Sequence, residues 1–174
     1  MKKLISVLFC VLLIFVTTTA AFADVNHFDD GHKTKEFADQ GISLEIPEKW
    51  SRMPINGTWA LYPDKNVLFT LNFYEYGEGE LNDALADIFL TKTTEEFLTG
   101  LTGVEQKGKA DIFELSNGNR VASASYGDSE NIYAMASTIC GTQIIILGFQ
   151  AANDKYTDEY IDDLDSILSS AKEI

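Results

Sequence analysis

The chain is poor in basic residues, and this shortage narrows the range of its partners. Thirteen Lys and Arg stand against 27 Asp and Glu. Residues 1–23 contain two of the lysines and no acid, so residues 24–174 carry 11 basic and 27 acidic groups, a net charge of −16. A surface of this charge repels nucleic acid and anionic lipid headgroups, and it tolerates cations and cationic partners.

The chain has only two histidines, and this argues against several classes of hydrolase. The two histidines, His27 and His32, precede the part of the chain in which regular patterns begin. Residues 35–174 therefore offer neither a Ser-His-Asp set nor a Cys-His pair, and no Gly-x-Ser-x-Gly sequence occurs. We expect no enzyme. A carboxylate-dependent hydrolase is the remaining enzymatic hypothesis, and it requires a concave pocket that holds two acids with raised pKa.

Two cysteines cannot support a disulfide framework here. Cys10 lies in an apolar run behind Phe9, where a lipid-modified cysteine would follow a small residue. Cys140 ends another apolar run and has no neighbouring cation or histidine to lower its pKa, so we interpret it as a buried, inert thiol. Without an internal disulfide, the hydrophobic core must supply the stability.

The N-terminal 23 residues have the three parts of a secretory signal peptide. Lys2 and Lys3 precede an apolar run over residues 4–16 in which Ser6 is the single polar residue, and Ala21-Phe22-Ala23 fits the small-x-small cleavage pattern. We expect cleavage after Ala23 and export to the periplasm, the cell surface or the medium. An uncleaved anchor is the alternative, but a spanning helix needs about 20 apolar residues, and no later segment is apolar for long enough to span a membrane.

Residues 24–34 are polar and aperiodic, which predicts a flexible lead-in. Imidazoles and carboxylates are suitable zinc ligands, so His27, Asp29, Asp30 and His32 are weak candidates for a metal site. Binding there would have to offset the entropy of ordering the segment. We therefore expect no metal and no cofactor.

The remaining residues, 35–174, read as one domain in which strand and helix patterns alternate. Period-two runs and turn residues predict strands, and apolar residues at helical spacing predict a helix between Asn82 and Gly103 and another after Asp154. The predicted strands are residues 35–38, 42–46, 58–62, 67–76, 110–115, 120–126, 131–140 and 143–150. Short turns between the late strands indicate antiparallel neighbours. The fold class is therefore α+β, an antiparallel sheet sandwiched by helices.

Three local patterns make this prediction more specific. Leu81, Leu85, Ile88 and Phe89 recur at helical spacing and predict the apolar face of the first helix, which Phe97, Leu98 and Leu101 continue less regularly. Asn117-Gly118 between two strands predicts a hairpin. Residues 144–147, all Ile or Leu, predict a central strand that is covered on both faces.

Two groups of side chains are candidates for a binding surface. The last helix carries five acids, and they are a solvated helix face or a docking surface for a cation or a basic partner: Asp158, Glu159, Asp162, Asp163 and Asp165. Six of the Trp and Tyr residues in the strands and loops belong to the core or line a groove: Trp50, Trp59, Tyr74, Tyr76, Tyr126 and Tyr133.

Two terminal segments resemble a known family. Residues 41–50, Gly-Ile-Ser-Leu-Glu-Ile-Pro-Glu-Lys-Trp, and residues 163–172, Asp-Leu-Asp-Ser-Ile-Leu-Ser-Ser-Ala-Lys, are similar to the opening strand and closing helix of the PsbP-like superfamily. That superfamily includes PsbP, the Ran-binding Mog-type proteins and the bacterial DcrB-like proteins. The resemblance implies an antiparallel sheet between helices that serves as an accessory or partner-binding module, with no family-wide catalytic residues to transfer.

Our leading hypothesis is an exported, non-catalytic binding module that docks a protein or a cell-envelope component. The expected partner is unidentified, a cationic one is compatible with the acidity, and nucleic acid is not expected. A carrier of a small ligand or divalent cation is the alternative, because the chain is acidic and its strands are rich in tyrosine. The carboxylate-dependent hydrolase is the third hypothesis.

The cleavage site gives a direct prediction. When the full chain is expressed in a secreting bacterial host, mass spectrometry of the exported product should give Asp24 as its first residue. Ala23→Arg should block cleavage, because the peptidase accepts only a small side chain there. Phe22→Tyr changes the permissive middle position and serves as the control. An exported wild-type product that retains residues 1–23 would establish the anchor instead.

Overall fold

The computed structural model describes residues 32–76, 83–104, 110–115 and 118–174, and these residues form two helices and ten strands. In chain order the elements are β1 His32–Phe37, β2 Ile42–Pro47, β3 Ser51–Ile55, β4 Thr58–Asp64, β5 Val67–Glu75, α1 Asp83–Thr102, β6 Asp111–Glu114, β7 Arg120–Gly127, β8 Asn131–Cys140, β9 Gln143–Ala152, α2 Glu159–Ser169 and β10 Lys172–Glu173.

The strands form one large and one small antiparallel sheet. The large sheet has seven strands in the order β3-β4-β5-β9-β8-β7-β6, and the small sheet has the order β1-β2-β10. Helix α1 packs on one face of the large sheet, and α2 packs on the other face together with the small sheet. The predicted α+β class, an antiparallel sheet between helices, is confirmed.

Strand β9 lies at the centre of the large sheet and is buried on both faces. It pairs with β5 on one side and β8 on the other. Residues 144–147 are at most 1% exposed. Alternate side chains of a strand point to opposite faces, so this Ile-Leu run needs a cover on each face, as the sequence predicts.

The first cover is made by α2 and β2. Leu164, Ile167 and Leu168 of α2 are at most 3% exposed and belong to the same cluster as Phe69 and Phe149 of the sheet. Trp50, which follows β2, packs on Phe69 with 4.4 Å between ring centroids. Burying each such side chain contributes about 1.5–3 kcal/mol, so this cluster is a main source of stability.

Helix α1 covers the other face with an inward side that is partly polar. Leu90, Phe97 and Leu98 pack in one cluster with residues of β7, β8 and β9. The buried hydroxyls of Thr94 and Ser137 lie 2.6 Å apart and share a hydrogen bond. A buried hydrogen bond of this kind fixes the position of a helix on a sheet, because shifting the helix would leave both hydroxyls unpaired.

An ion pair adds a second attachment of α1 to the sheet. Arg120 of β7 donates from Nε and Nη2 to the two carboxylate oxygens of Asp87, both at 2.7 Å. Hydrogen bonding to Arg120 holds the pKa of the Asp87 carboxyl below its ordinary value. The Arg120 guanidinium is therefore already paired with a carboxylate of the same chain.

The predicted apolar face of α1 is wrong in part. Leu85, Ile88 and Phe89 are 44%, 51% and 44% exposed. Because the helix turns by about 100° per residue, Leu90, Thr94 and Phe97 lie on the side opposite those three residues. The side with Thr94 faces the sheet, where the predicted Phe97 and Leu98 are buried together with Leu90 and the Thr94 hydroxyl has a partner in β8. Leu81, Asn82 and Asn117 of the predicted hairpin lie outside the described residues.

Other boundaries also differ from the predictions. Strand β1 begins at His32 rather than residue 35, because its pairing with β2 continues to His32 opposite Pro47. Residues 32–34, predicted as part of the lead-in, therefore belong to a strand. Strand β3 is absent from the predicted strands; it lies at the edge of the sheet, where its Pro54 is tolerated. The two-residue β10 was not predicted.

The packing of β9 on β5 generates a stability prediction. A Cβ added at Gly148 would lie 2.6 Å from Thr70 Oγ1 and 3.1 Å from Met135 Cε. Gly148→Ala should therefore lower the free energy of unfolding by about 1–3 kcal/mol, as measured by urea denaturation. Thr70→Ala in the same chain should restore part of this loss because it removes the nearest atom.

Gly127→Ala is the matched control. A Cβ at Gly127 would meet nothing nearer than Asn131 O at 4.0 Å, so its effect should stay within about 0.5 kcal/mol. Equal losses for Gly127→Ala and Gly148→Ala would contradict the proposed contact.

Candidate functional site

The structure describes all five acids of the last helix. Asp158, Glu159 and Asp162 are exposed, whereas Asp163 and Asp165 are half-buried. Burial and the neighbouring Asp64 raise the pKa of the Tyr160 hydroxyl, and the charges of Asp163 and Glu159 raise it further. Burial also raises the pKa of the Asp165 carboxyl, with a contribution from the charge of Asp162. The use of these five acids as a docking surface stays a prediction.

Asp165 lies in a groove of about 490 Å³ between α2 and the sheet. The floor of this groove, which we call the α2 groove, is the sheet face at the β6–β8 end. Register fixes its residues, since Asp111 is opposite Ser123, and Ser123 is opposite Ala136. The next row places Ser125 opposite Ala134. Because these floor side chains are small, the face is recessed beside α2.

The walls of the α2 groove are mainly apolar. Ile161 and Leu164 of α2, Tyr156 before α2, and Phe113 of β6 line it. Phe113 is 37% exposed, although it is a large aromatic residue. Tyr156 is held by ring packing on Phe149, at 6.1 Å between centroids. Apolar walls with a few polar groups are typical of a binding site.

Two carboxylates give the groove its charge. Asp111 projects from the edge strand β6, and Asp165 projects from α2. Partial burial raises the pKa of the Asp165 carboxyl above its ordinary value, and the charge of Asp162 raises it further. Both causes mean that a cation placed near Asp165 would relieve an existing electrostatic cost.

The six aromatic candidates do not line one groove. Trp50 and Trp59 pack with the cluster on the α2 side of the sheet, where Trp59 meets Phe37 at 5.6 Å between ring centroids. The four tyrosines pack with the cluster on the α1 side: Tyr74, Tyr76, Tyr126 and Tyr133. These contacts favour the interpretation of the six residues as part of the core over the interpretation that they share one binding groove.

The candidate metal ligands His27, Asp29 and Asp30 lie outside the described residues, and His32 is described only by its backbone in β1. Within the described ranges, no group of three or more His, Cys, Asp or Glu is arranged to hold a metal ion. Cys140 is half-buried, and burial followed by the charge of Glu173 raises the pKa of its thiol. A raised pKa reduces the thiolate fraction, which agrees with the interpretation of an inert thiol.

Sequence reasoning found Asp165 but missed the other side of the groove. Asp111, Phe113, Ser123 and Ser125 alternate along two neighbouring strands and share one face. Their period-two spacing was visible, but a short run of polar and small residues is also typical of an ordinary solvent face. The proximity of these strands to α2 depends on tertiary packing.

In the part of the chain that the structure describes, neither helix is long and apolar enough to cross a membrane.

A search of solved structures finds several that resemble this chain. The solution structure of cyanobacterial PsbP (CyanoP) from Synechocystis sp. PCC 6803 matches with a TM-score of 0.59 at 14% identity, covering 84% of this chain and 95% of that one. A Bacteroides thetaiotaomicron protein matches with a TM-score of 0.49 at 9% identity, covering 77% of this chain and 45% of that one. LpqN of Mycobacterium tuberculosis, involved in cell envelope biogenesis, has a TM-score of 0.47 at 15% identity, covering 83% and 91%.

The likeness to CyanoP confirms the PsbP-like fold expected from the sequence. No family model matches the chain. No curated protein matches it either.

Asp165 gives a prediction about pH and stability. Its pKa is higher in the folded protein than the ordinary value of 3.8, so the folded protein binds this proton more tightly than the unfolded chain does. The resulting cost is absent below the unfolded pKa and grows as pH rises through the folded pKa. Asp165→Asn should therefore raise the melting temperature by about 1–3 °C near pH 7.

This difference should shrink as the pH falls through the raised pKa of the Asp165 carboxyl, because the wild-type side chain then gains its proton and loses its charge. Glu96→Gln removes the same charge from an exposed position on α1 and is the control for net charge. A gain in melting temperature that is equal for the two variants, or independent of pH, would show that burial of Asp165 does not cause it.

Proposed function

We propose that this chain, an α+β protein of PsbP-like fold, is an exported, non-catalytic binding module that docks a partner protein or cell-envelope component through the α2 groove. The N-terminal segment with its signal-peptide pattern supports export. The PsbP-like fold supplies the scaffold. The α2 groove is the single observation that carries the choice of docking site.

The shape of the groove supports docking of another molecule. Phe113 exposes 37% of its surface on the edge strand, and it lines the same recess as Ile161 and Tyr156. Aromatic and aliphatic side chains around a recess are the usual anchors of a protein interface. A partner that fills this recess would remove their apolar surface from water.

The charge of the groove favours a cationic partner. Asp111 and Asp165 face the same recess, and Asp162 adds its charge close to Asp165. An ammonium or guanidinium group would pair with these carboxylates and offset the cost of burying Asp165. Charge complementarity of this kind contributes to specificity and to the rate of association.

A carrier of a small cationic ligand is the second candidate. The volume of about 490 Å³ lies in the usual range of about 300–1,000 Å³ for small-molecule sites. One wall, however, is the edge strand β6. The groove is therefore continuous with the outer backbone N–H and C=O groups of β6, and a small ligand in the groove would not bind them. This geometry favours a larger partner. Asp165 also provides one acid of raised pKa, so turnover must be measured alongside binding.

Capture experiments test this function. The full chain, expressed with its own N-terminal segment, is tagged at the C-terminus and used as bait in envelope extract with quantitative mass spectrometry. Asp165→Lys should reduce the recovered partner at least tenfold, because it places a cation where the partner's cation binds. Glu96→Lys introduces the same charge change on the exposed side of α1 and should leave recovery within about twofold.

Equal recovery by Asp165→Lys and wild type would reject the α2 groove as the docking site. The same preparations are assayed with a panel of glycoside and ester substrates. Turnover that disappears in Asp165→Asn would replace the binding module with the carboxylate-dependent hydrolase.

A further inference from the structure

Among the strands that the structure describes, β6 beside the α2 groove is the last of the large sheet, and its outer backbone edge pairs with none of them. Leu115 N–H donates to Asn119 O at 2.8 Å, so the odd-numbered residues of β6 bond to β7. Antiparallel pairing alternates residue by residue, and Ile112 and Glu114 therefore direct their N–H and C=O groups away from β7. Ala110 N–H points to the same side, where the carboxylate of Glu95 accepts it at 2.8 Å.

An exposed edge of this type pairs readily with another extended chain. A strand added to β6 would place every second side chain on the groove side of the sheet, next to Asp111 and Phe113. Side chains directly opposite each other on neighbouring strands have Cβ atoms about 4.5–5.5 Å apart. A Lys or Arg of the added strand would therefore reach the Asp111 carboxylate.

The charges around the α2 groove favour a basic added strand over an acidic one. No Lys or Arg is among the described residues that line the groove. Arg120, the cation of the neighbouring strand β7, is bound by Asp87. The acids that face the groove, Asp111 and Asp165, have apolar neighbours on the lining. These two carboxylates would repel the side chains of an acidic strand.

From this juxtaposition, we propose that the β6 edge and the α2 groove together bind an extended basic segment of a partner protein as an eighth strand of the large sheet. The segment's backbone pairs with Ile112 and Glu114, and its basic side chains enter the groove beside Asp111 and Asp165. This proposal rests on the function proposed above and names the chemistry of the partner.

Synthetic peptides test the proposal directly. The probe is a ten-residue peptide of alternating Lys and Thr with blocked ends, titrated into the ¹⁵N-labelled full chain, expressed with its own N-terminal segment. We expect saturable amide shifts at Ile112, Glu114 and Ser123, and an affinity that falls with added salt. A peptide of the same sequence with every second backbone nitrogen methylated cannot donate along one edge and should bind at least tenfold more weakly.

Variants of the protein separate the contribution of backbone hydrogen bonds to peptide binding from the contribution of side-chain charges. Ile112→Pro removes an N–H that bonds to nothing in β7 and so keeps the β6–β7 hydrogen bonds, and peptide binding should fall at least fivefold. Ile112→Ala loses the same packing on the α1-side cluster but keeps the N–H, and it should retain binding. Asp111→Asn with Asp165→Asn should weaken binding of the unmethylated peptide by a similar factor, and Glu96→Gln should leave it unchanged. The amide spectrum of each free variant checks its fold.

The outcomes separate this proposal from the proposed function. Equal affinity of the methylated and unmethylated peptides, or of spermine, with shifts confined to the groove would overturn strand addition while leaving a cation-binding groove. An absence of groove shifts with every basic probe, together with capture that still depends on Asp165, would overturn the basic segment but not the docking site. Loss of that capture dependence would overturn the proposed function itself.

Discussion

The burial of β9 on both faces is the constraint on which the rest of the structure depends. Its central residues, 144–147, are at most 1% exposed, and side chains of a strand alternate between faces. The sheet therefore requires a cover on each side. Helix α1 supplies one cover, through apolar packing and the Thr94–Ser137 hydrogen bond. Helix α2 and the small sheet supply the other, and they bring the C-terminal part of the chain onto strands formed near its start.

The α2 groove exists because helix α2 is narrower than the sheet that it covers. Seven strands spaced about 4.8 Å apart span roughly 29 Å, whereas one helix with its side chains is about 10–12 Å wide. Helix α2 lies against β2, β8 and β9, so it ends over the sheet before β6. The small floor residues Ser123, Ser125, Ala134 and Ala136 then leave a recess beside it. The α2 groove is thus the part of the sheet that the second cover does not fill.

Much of the fold could be predicted because its signals are local. Period-two runs bounded by turn residues located β2, β5 and β9 to within two residues. Strand β3 was missed because Pro54 obscures it. The inward side of α1 was misjudged because Leu85, Ile88 and Phe89 are as apolar as the buried side, and the deciding contact joins Thr94 to Ser137, 43 residues away. Of the residues that line the groove, the sequence indicates only Asp165 as a candidate, because the others come together only through tertiary packing.

The central claim is that partners approach the recess at the β6 edge and not the other exposed apolar positions. A photo-reactive phenylalanine at Phe113, in the groove, can be compared with one at Met53, which is 43% exposed on β3 at the opposite edge of the same sheet. After illumination of cells that express the full chain, the account predicts a discrete crosslinked partner from position 113 and none from position 53. A partner crosslinked from position 53 alone would contradict it.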